Sequence, residues 1–406
     1  MPIRRAHWYG LLLLGLYGIC SVLEAADTRA ASEKPGSPLL NPAPEHEQNC
    51  RGPYTPIGHI QGPGDLSPCR DTTVTTRGVV TLVSTGKGAL GGYFLQDPDG
   101  DNDPATSDGI FVFDRKNRTR VTEGDFIEIR AQVTEWKGLT ELKPGNRTAV
   151  TLLSRDRKVT PTPVVLPETF DGELERYEGM LVSIAQPMTV TGNRWLDNLG
   201  QLKLASVDTH GRPGRLYQPT HLAPPGSRKA RRIAIENARR FLVLDDGRNS
   251  RPNPLPFIGE PAANATVRTG DRVTDILGVL DFGRISLFKT GDHLYDYRVQ
   301  VTQPPIIRSR NGREAAPPPT DPDLRIASFN VLNFFTQFGR TCQRPCGISG
   351  KIHCRGAKND AELKRQKTKL AAALIPLHAD IYAFQEVQND GFSDASAIAS
   401  LTELLG

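Results

Sequence analysis

Between Tyr54 and Gly145 the chain runs in short stretches of alternating apolar and polar residues: Thr73 to Ser84, Gly92 to Gln96, Ile110 to Phe113, Asp125 to Trp136 and Leu139 to Lys143. Gly and Asp clusters separate them. Side chains with a period of two line the opposite faces of a strand, so this region predicts a small antiparallel barrel or sandwich. Thirty-two Pro and 38 Gly among 406 residues also favour turns and short strands over long helices. At about 150 residues per domain, that length predicts two or three domains.

The expected order is a leader at 1–26, a disordered Ala/Pro/Glu/Ser linker at 27–53, and a β domain at 54–155. Pro161, Pro163 and Pro167 then introduce a second β-rich domain at 168–303. The run Gly124-Asp-Phe-Ile-Glu-Ile-Arg-Ala-Gln-Val is echoed by Gly270-Asp-Arg-Val-Thr-Asp-Ile-Leu-Gly-Val, each Gly-Asp opening a strand. Two related barrels explain the echo. Pro304-Pro305 and Pro317-Pro318-Pro319 mark a linker at 304–322, and a last domain starts at Asp323.

Arg4 and Arg5 precede an apolar run from Trp8 to Leu23, with Ala25 and Ala26 behind it. That layout predicts a secretory signal peptide and a secreted, extracellular or periplasmic protein with no stable membrane association after cleavage. A single signal-anchor helix is the alternative. Export implies oxidised cysteines, so Cys50 and Cys69 are expected to close the loop between them and Cys346 to bridge to Cys354, with Cys342 left over. A zinc site built from the last three lacks a convincing fourth ligand.

The loop from Asp97 to Gly109 crowds Asp97, Asp99, Asp101, Asp103 and Asp108 together. Carboxylates at alternate positions repel unless a hard cation sits among them, which suggests Ca²⁺; the other reading is a solvated Asp/Gly turn stiffened by Pro98 and Pro104. Asn117, Asn146 and Asn264 fit the glycosylation pattern. Ser227 to Arg240 reads as a basic helix, on which Arg228, Lys229, Arg231 and Arg232 are candidates for tracking a nucleic-acid backbone or, more blandly, form a solvated surface. A net charge of +5, from 50 Lys and Arg against 45 Asp and Glu, is compatible with an anionic partner and does not demand one.

From Asp323 onward the chain predicts a βαβ unit: a strand from Leu324 to Leu332, a helix begun by Asn359-Asp-Ala-Glu362, and a strand from Ile381 to Val387. Leu363, Leu370, Leu374 and Leu377 give that helix one apolar stripe. If the strands are parallel, Asn330 and Glu386 stand near one edge of the sheet, where ligands of such sheets bind. A carboxylate with a carboxamide suits Mg²⁺, or Mn²⁺ in its place. Helix capping by Glu386 and turn closure by Asn330 are the structural alternative.

Arg325-Ile-Ala-Ser-Phe-Asn-Val-Leu-Asn333 followed by Gln385-Glu386-Val387 resembles the opening of the endonuclease/exonuclease/phosphatase superfamily, the DNase I-like fold. The resemblance implies that Asn330 and Glu386 bind the divalent metal and its waters. Cys354-Arg-Gly-Ala-Lys-Asn and Glu362-Leu-Lys-Arg-Gln-Lys are similar to the secreted bacterial nuclease branch, in which an OB-like domain precedes the catalytic one. Gly92-Tyr-Phe-Leu-Gln-Asp-Pro, Asp103-Pro-Ala-Thr-Ser-Asp-Gly-Ile-Phe-Val, Arg176-Tyr-Glu-Gly-Met and Leu216-Tyr-Gln-Pro-Thr match that module. The expectation is therefore multi-domain: two β-rich OB-like modules, then the first βαβ part of an α/β DNase I-like sandwich.

A complete catalytic domain of that family is more than twice as long as residues 323–406, and its later part supplies the phosphate-aligning Asp/Asn pair and the His/Asp dyad. The expected function is extracellular, metal-assisted hydrolysis of DNA, or RNA, with only the first part of the active site in this chain. The rival is a secreted nucleic-acid-binding module with an inert catalytic remnant. A phosphatase or lipid phosphodiesterase on the same frame is a third reading, disfavoured by the OB-like modules.

Overall fold

A computed structural model describes residues 50 and 52–406 apart from 117, 146–148, 209, 253–255, 258–265, 287–292, 311, 313, 315, 320 and 338–353. The leader, most of the linker at 27–53, Cys342, Cys346 and the three candidate glycosylation asparagines lie outside the described residues. The chain divides into two compact units, Met1–Asn311 and Gly312–Gly406.

The first unit opens with a short helix α1, Ile57–Gln61, and six strands: β1 Thr73–Ser84, β2 Gly92–Gln96, β3 Gly109–Phe113, β4 Phe126–Trp136, β5 Leu139–Pro144 and β6 Val150–Ser154. They pair in the order β1-β2-β3-β5-β4, β4 returns to β1, and β6 lies on β4. Five strands thus close a barrel. Alternation fills it, since Ile127, Ile129, Ala131 and Val133 of β4 are all buried. Cys50 and Cys69 form a disulfide beside this core, their Cα atoms 5.5 Å apart.

The second sheet has nine strands: β7 Thr162–Pro163, β8 Leu181–Ile184, β9 Met188–Gly192, β10 Leu202–Ala205, β11 Phe241–Asp245, β12 Arg272–Thr274, β13 Ile276–Arg284, β14 Tyr295–Val301 and β15 Ile306–Arg308. Its order is β15-β12-β9-β10-β11-β14-β13-β8-β7, and it curls. Helices α2 Leu196–Leu199, α3 Pro219–Leu222 and α4 Arg228–Arg240 sit in its connections.

The pairing repeats that of the barrel. Gly124 N–H donates to Val80 O at 2.9 Å and Val80 N–H to Asp125 O at 2.8 Å; Gly270 N–H donates to Val190 O and Val190 N–H to Asp271 O, both at 2.8 Å. Asp125 accepts from Thr122 N–H as Asp271 accepts from Arg268 N–H. Both sheets carry a register shift just after these valines, at Val80/Leu82 and Val190/Gly192, and both have a parallel pair at the same step, β3 with β5 and β11 with β14. The counterpart of β1 is broken at Ala185-Gln186-Pro187, and the counterpart of β4 at Asp275, whose φ is +57°. A proline has no N–H to give to a ladder. The second sheet therefore uses two short strands where the first uses one.

The two sheets share a core in which Phe94, Phe111 and Leu139 pack among Val182, Leu280 and Val299. At their seam a Cβ on Gly109 would stand 2.2 Å from the Gly179 carbonyl carbon, and one on Gly179 would stand 2.6 Å from Ile110 N. Glu178 O accepts from Gln61 Nε2 and Ser107 Oγ, the Glu178 carboxylate from Thr140 N–H, and Gln96 Oε1 from Leu181 N–H. Two stretches expected to be linker belong to the sheet: β7 lies among the prolines before 168, and β15 lies inside 304–322. The linker prolines still permit edge pairing, where one missing N–H costs little.

The second unit contains β16 Ile326–Phe334, α5 Asp360–Leu374, β17 Ile381–Val387 and α6 Ala397–Leu405. The strands pair in parallel with α5 between them in sequence, the expected βαβ unit. Asn359 Oδ1 caps α5 by accepting from Glu362 N–H, while Glu362 reaches back to Lys358 N–H. Val331, Phe334, Leu370, Leu374, Ala397 and Leu401 form its core. The opposite sheet face is open, with Ile326 65% and Ile381 50% exposed.

Gly179 has φ +78° and no room for a methyl group, so Gly179→Ala is expected to lower unfolding free energy by about 2–4 kcal/mol, combining left-handed strain and overpacking. Gly214→Ala, with nothing within 4 Å, is expected to leave it nearly unchanged. Urea denaturation of both variants checks this.

Candidate metal centre

Asn330 and Glu386 meet at the end of the β16/β17 pair: Asn330 Nδ2 donates to Glu386 Oε1 at 2.9 Å. Asn333 N–H donates to Glu386 Oε2 at 3.1 Å, and Leu332 N–H to Asn330 Oδ1 at 2.8 Å. The two side chains thus share one small hydrogen-bonded ring with the backbone between them. The carboxamide steadies the carboxylate, and Glu386 remains only partly buried.

The backbone here departs from a regular ladder. Strand β16 does not stop at Leu332 as expected but runs on to Phe334, and the register shifts between Asn330 and Phe334. Leu332, Asn333 and Glu386 have φ values of +55°, +52° and +63°, a region that side-chain-bearing residues seldom adopt. Two contacts hold the distortion. Gln366 Nε2 on α5 donates to Val331 O and Leu332 O, each at 3.1 Å, and Gly356 packs so closely that a Cβ would stand 2.1 Å from Asn333 O. Gly356 and Gln366 both lie within the two motifs quoted above, Cys354-Arg-Gly-Ala-Lys-Asn and Glu362-Leu-Lys-Arg-Gln-Lys, whose spacing does not show that they clamp a strand end.

A hard divalent cation fits this donor set. Glu386 offers carboxylate oxygens at an open strand end, Asn330 aims it, and Mg²⁺ keeps several waters while taking only one or two carboxylates. His378, the histidine of residues 354–406, lies in the turn before β17, at the strand end away from Glu386.

In the acidic loop, carboxylates accept from the loop's own backbone. Asp97 Oδ1 accepts from Asp99 N–H, Asp101 Oδ1 from Asp103 N–H, Asp103 Oδ1 from Ala105 N–H and Asp108 Oδ1 from Asp101 N–H. A loop without a ladder leaves backbone N–H groups in need of acceptors, and these aspartates supply them. Among the described residues, Cys50, His59 and Cys69 are the group whose potential ligand atoms lie within 4.8 Å of one another. Two of those are joined in the disulfide. Cys354 is disulfide-bonded as well, while its expected partner Cys346 lies outside the described residues.

On α4, Ser227 is the N-cap, and Arg228, Lys229, Arg231 and Arg232 are exposed. Arg231 donates to Gly226 O, Arg239 pairs with Asp171 at 2.7 Å, and the buried Arg240 donates to Ser206 O and Gly214 O. The run thus contains both structural and surface arginines. Tyr217, 43% exposed, is tied to α4 through Asn237 Nδ2 and carries Arg215 against its ring at 5.0 Å. Phe241, by contrast, is buried.

Burial, together with the Asp101 and Asp97 charges, pushes the Asp108 carboxyl up to about 6. The folded protein therefore binds this proton more tightly than the unfolded chain, whose aspartate titrates near 4, about its usual value. Stability from this group is present below pH 4 and is lost as pH rises through about 6. Thermal unfolding across that range is expected to show the decline, and Asp108→Asn to flatten it.

No family model and no curated protein matches this chain.

Proposed function

We propose that the protein is an exported phosphodiesterase acting on DNA or RNA, in which residues 323–406 carry the metal-holding part of the site and the barrels, OB-like in their pairing order, carry binding. One observation supports this most: two polar side chains, read from separate motifs, bond to each other at 2.9 Å where three residues hold a left-handed backbone. Such conformations cost energy and persist where the surroundings over-determine them, which is common at active sites. Glu386 would hold Mg²⁺ or Mn²⁺, and Asn330 would orient Glu386 and a metal-held water. The bound ion would supply charge neutralisation at the phosphate. Among the chain's own groups, Asn330 Nδ2 and Asn333 N–H fix the carboxylate so that it need not reorganise as charge develops. Leu332 and Asn333, bent away from the ladder, leave that edge open to a substrate oxygen.

The exported character of this reading rests on the N-terminal apolar run and on the Cys50–Cys69 disulfide, which suits an oxidising compartment. Among the described residues, no helix is long and apolar enough to cross a membrane. The rival reading, a binding module with an inert second unit, is favoured by Tyr217 and Arg215 beside the basic helix, since stacking and phosphate contacts then need no metal.

Manganese binding separates the two. Electron paramagnetic resonance titration is expected to show a Mn²⁺ site that Glu386→Gln removes and Asn330→Ala weakens about tenfold or more, as for a residue that orients a ligand. With His378 turned away from the site and no other histidine among the described residues of the second unit, cleavage of plasmid DNA by the chain is expected to be slow, an absent acid–base group being worth about 10²–10⁴ in rate. Mn²⁺ affinity unchanged by Glu386→Gln would refute the assignment.

A further inference from the structure

A cleft of about 560 Å³ opens where the barrel meets the curled sheet. Its volume suits a small ligand or a short stretch of polymer. One wall belongs to β3, β4 and β5 and presents Phe113 and Trp136, which are 42% and 60% exposed. Lys143 lies above both rings, its Nζ 5.9 Å from the Phe113 centroid and 6.0 Å from that of Trp136, and it also pairs with Glu141 at 2.8 Å. Lys137, at the β4–β5 turn, adds another cation to that rim. The facing wall comes from β13 and β14 and contributes Arg284 and Tyr295.

Two large rings side by side at the surface require an explanation, because water disfavours them and among the described residues they stay exposed. The floor adds another. Asp281 and Arg298 line the cleft, and Arg298 is fixed by two hydrogen bonds to Asp281 at 3.0 and 2.9 Å and one to Asp245 at 3.0 Å. That ion network is buried, with Arg298 6% and Asp281 2% exposed. It is a rigid polar base beneath a pair of aromatic walls. Of the two acidic side chains of the lining, Glu141 pairs with Lys143 and Asp281 with the buried Arg298, which leaves Lys137 and Arg284 as the cations of the mouth beyond those pairs.

Flat apolar faces flanked by cations match one polymer well. We propose that this cleft is a binding site for single-stranded nucleic acid, with unpaired bases stacking on Trp136 and Phe113 and the phosphates drawn to Lys137, Lys143 and Arg284. The proposal rests on the reading of the protein as one that acts on nucleic acid, and it assigns single strands as the form that the first unit grips. A paired duplex keeps its bases stacked inside and cannot offer their faces to Trp136 without being opened. Stacking tolerates any base, so the site is expected to discriminate strandedness more than sequence.

The test uses the intact chain in EDTA, so that no cleavage or metal binding intervenes, with a fluorescein-labelled 12-mer of thymidine as the probe. Anisotropy is expected to show binding that weakens with added salt, and Trp136 fluorescence to be quenched on saturation. Trp136→Ala is expected to weaken binding by about 5–150-fold, the range for the loss of one stacked base, while Trp136→Phe recovers most of it. Lys143→Gln is expected to reduce the salt dependence. Far-ultraviolet dichroism and the melting temperature of each variant establish that it is folded, and Glu386→Gln is expected to bind the probe as the wild type does. Binding unchanged in folded Trp136→Ala would overturn the proposal, as would a 12-base-pair duplex bound as tightly as the single strand, or a neutral oligosaccharide taken up in its place. A wild-type chain that binds the probe but shows no Mn²⁺ site refutes only the catalytic reading; a wild-type chain that binds Mn²⁺ but not the probe refutes only this one.

Discussion

Everything in the first unit depends on how closely one backbone approaches another at Gly109 and Gly179. With no Cβ on either residue, the turn before β8 reaches the start of β3, and Glu178 can bring its carbonyl to Gln61 and Ser107 and its carboxylate to Thr140 N–H. Burying Glu178 is tolerable because side-chain donors meet its carbonyl and a backbone N–H meets its carboxylate. The approach in turn lets Phe94, Phe111 and Leu139 leave their own barrel's axis and join the core of the second sheet. Two small sheets, each with too little interior to be very stable alone, thereby fuse into one larger core.

The repeated pairing gives that fusion its logic. Matching bonds at Val80 and Val190, matching Asp acceptors at Asp125 and Asp271, and matching register shifts indicate one structural plan used twice. The copies have diverged where the second needs to bend. Pro187 and Asp275 interrupt strands that are continuous in the first copy, and a buried ion network of Asp245, Asp281 and Arg298 takes up interior volume in the second. Burial pushes the Asp245 carboxyl up against the opposing pull of Arg298. Removing one member of such a network strands the others, so it specifies the local arrangement more than it adds stability.

The strands were legible because alternation is a local signal. β1, β2 and β17 fall where the residue pattern puts them, and β3, β4 and β5 differ from it by about a residue. The two Gly-Asp pairs each stand where a strand opens, as read, their aspartates capping the turn that starts β4 and its counterpart. What the pattern could not supply was anything decided by distant partners. β15 is three residues just after Pro304-Pro305, only Ile307 of them half-buried, and it becomes a strand because β12 offers an edge. Asp97, Asp101, Asp103 and Asp108 each accept a backbone N–H of their own loop, and sequence spacing does not distinguish that use from a cation cage. The cleft was missed for the same reason: Trp136 and Tyr295 are far apart in the chain, and neither alone looks like more than a surface aromatic.

Asn330 and Glu386 were legible as a pair through their motifs, but the bulge that aligns them was not. A left-handed backbone is ordinarily announced by glycine, and here the chain uses Leu332, Asn333 and Glu386, each costing about 1–2 kcal/mol by general sterics. A unit with a core as small as that of β16, β17, α5 and α6 has little stability to spare. The strain survives because Gln366 holds two carbonyls of the bulge and Gly356 closes over Asn333. Had folding alone shaped this edge, a straight ladder from Asn330 to Phe334 would satisfy the same backbone groups at lower cost. The bulge instead turns Asn333 N–H toward Glu386 and fixes the carboxylate from both oxygens. The distortion costs stability, is clamped from a helix and a loop, and holds one carboxylate by both of its oxygens; that is the feature on which the proposed metal role rests.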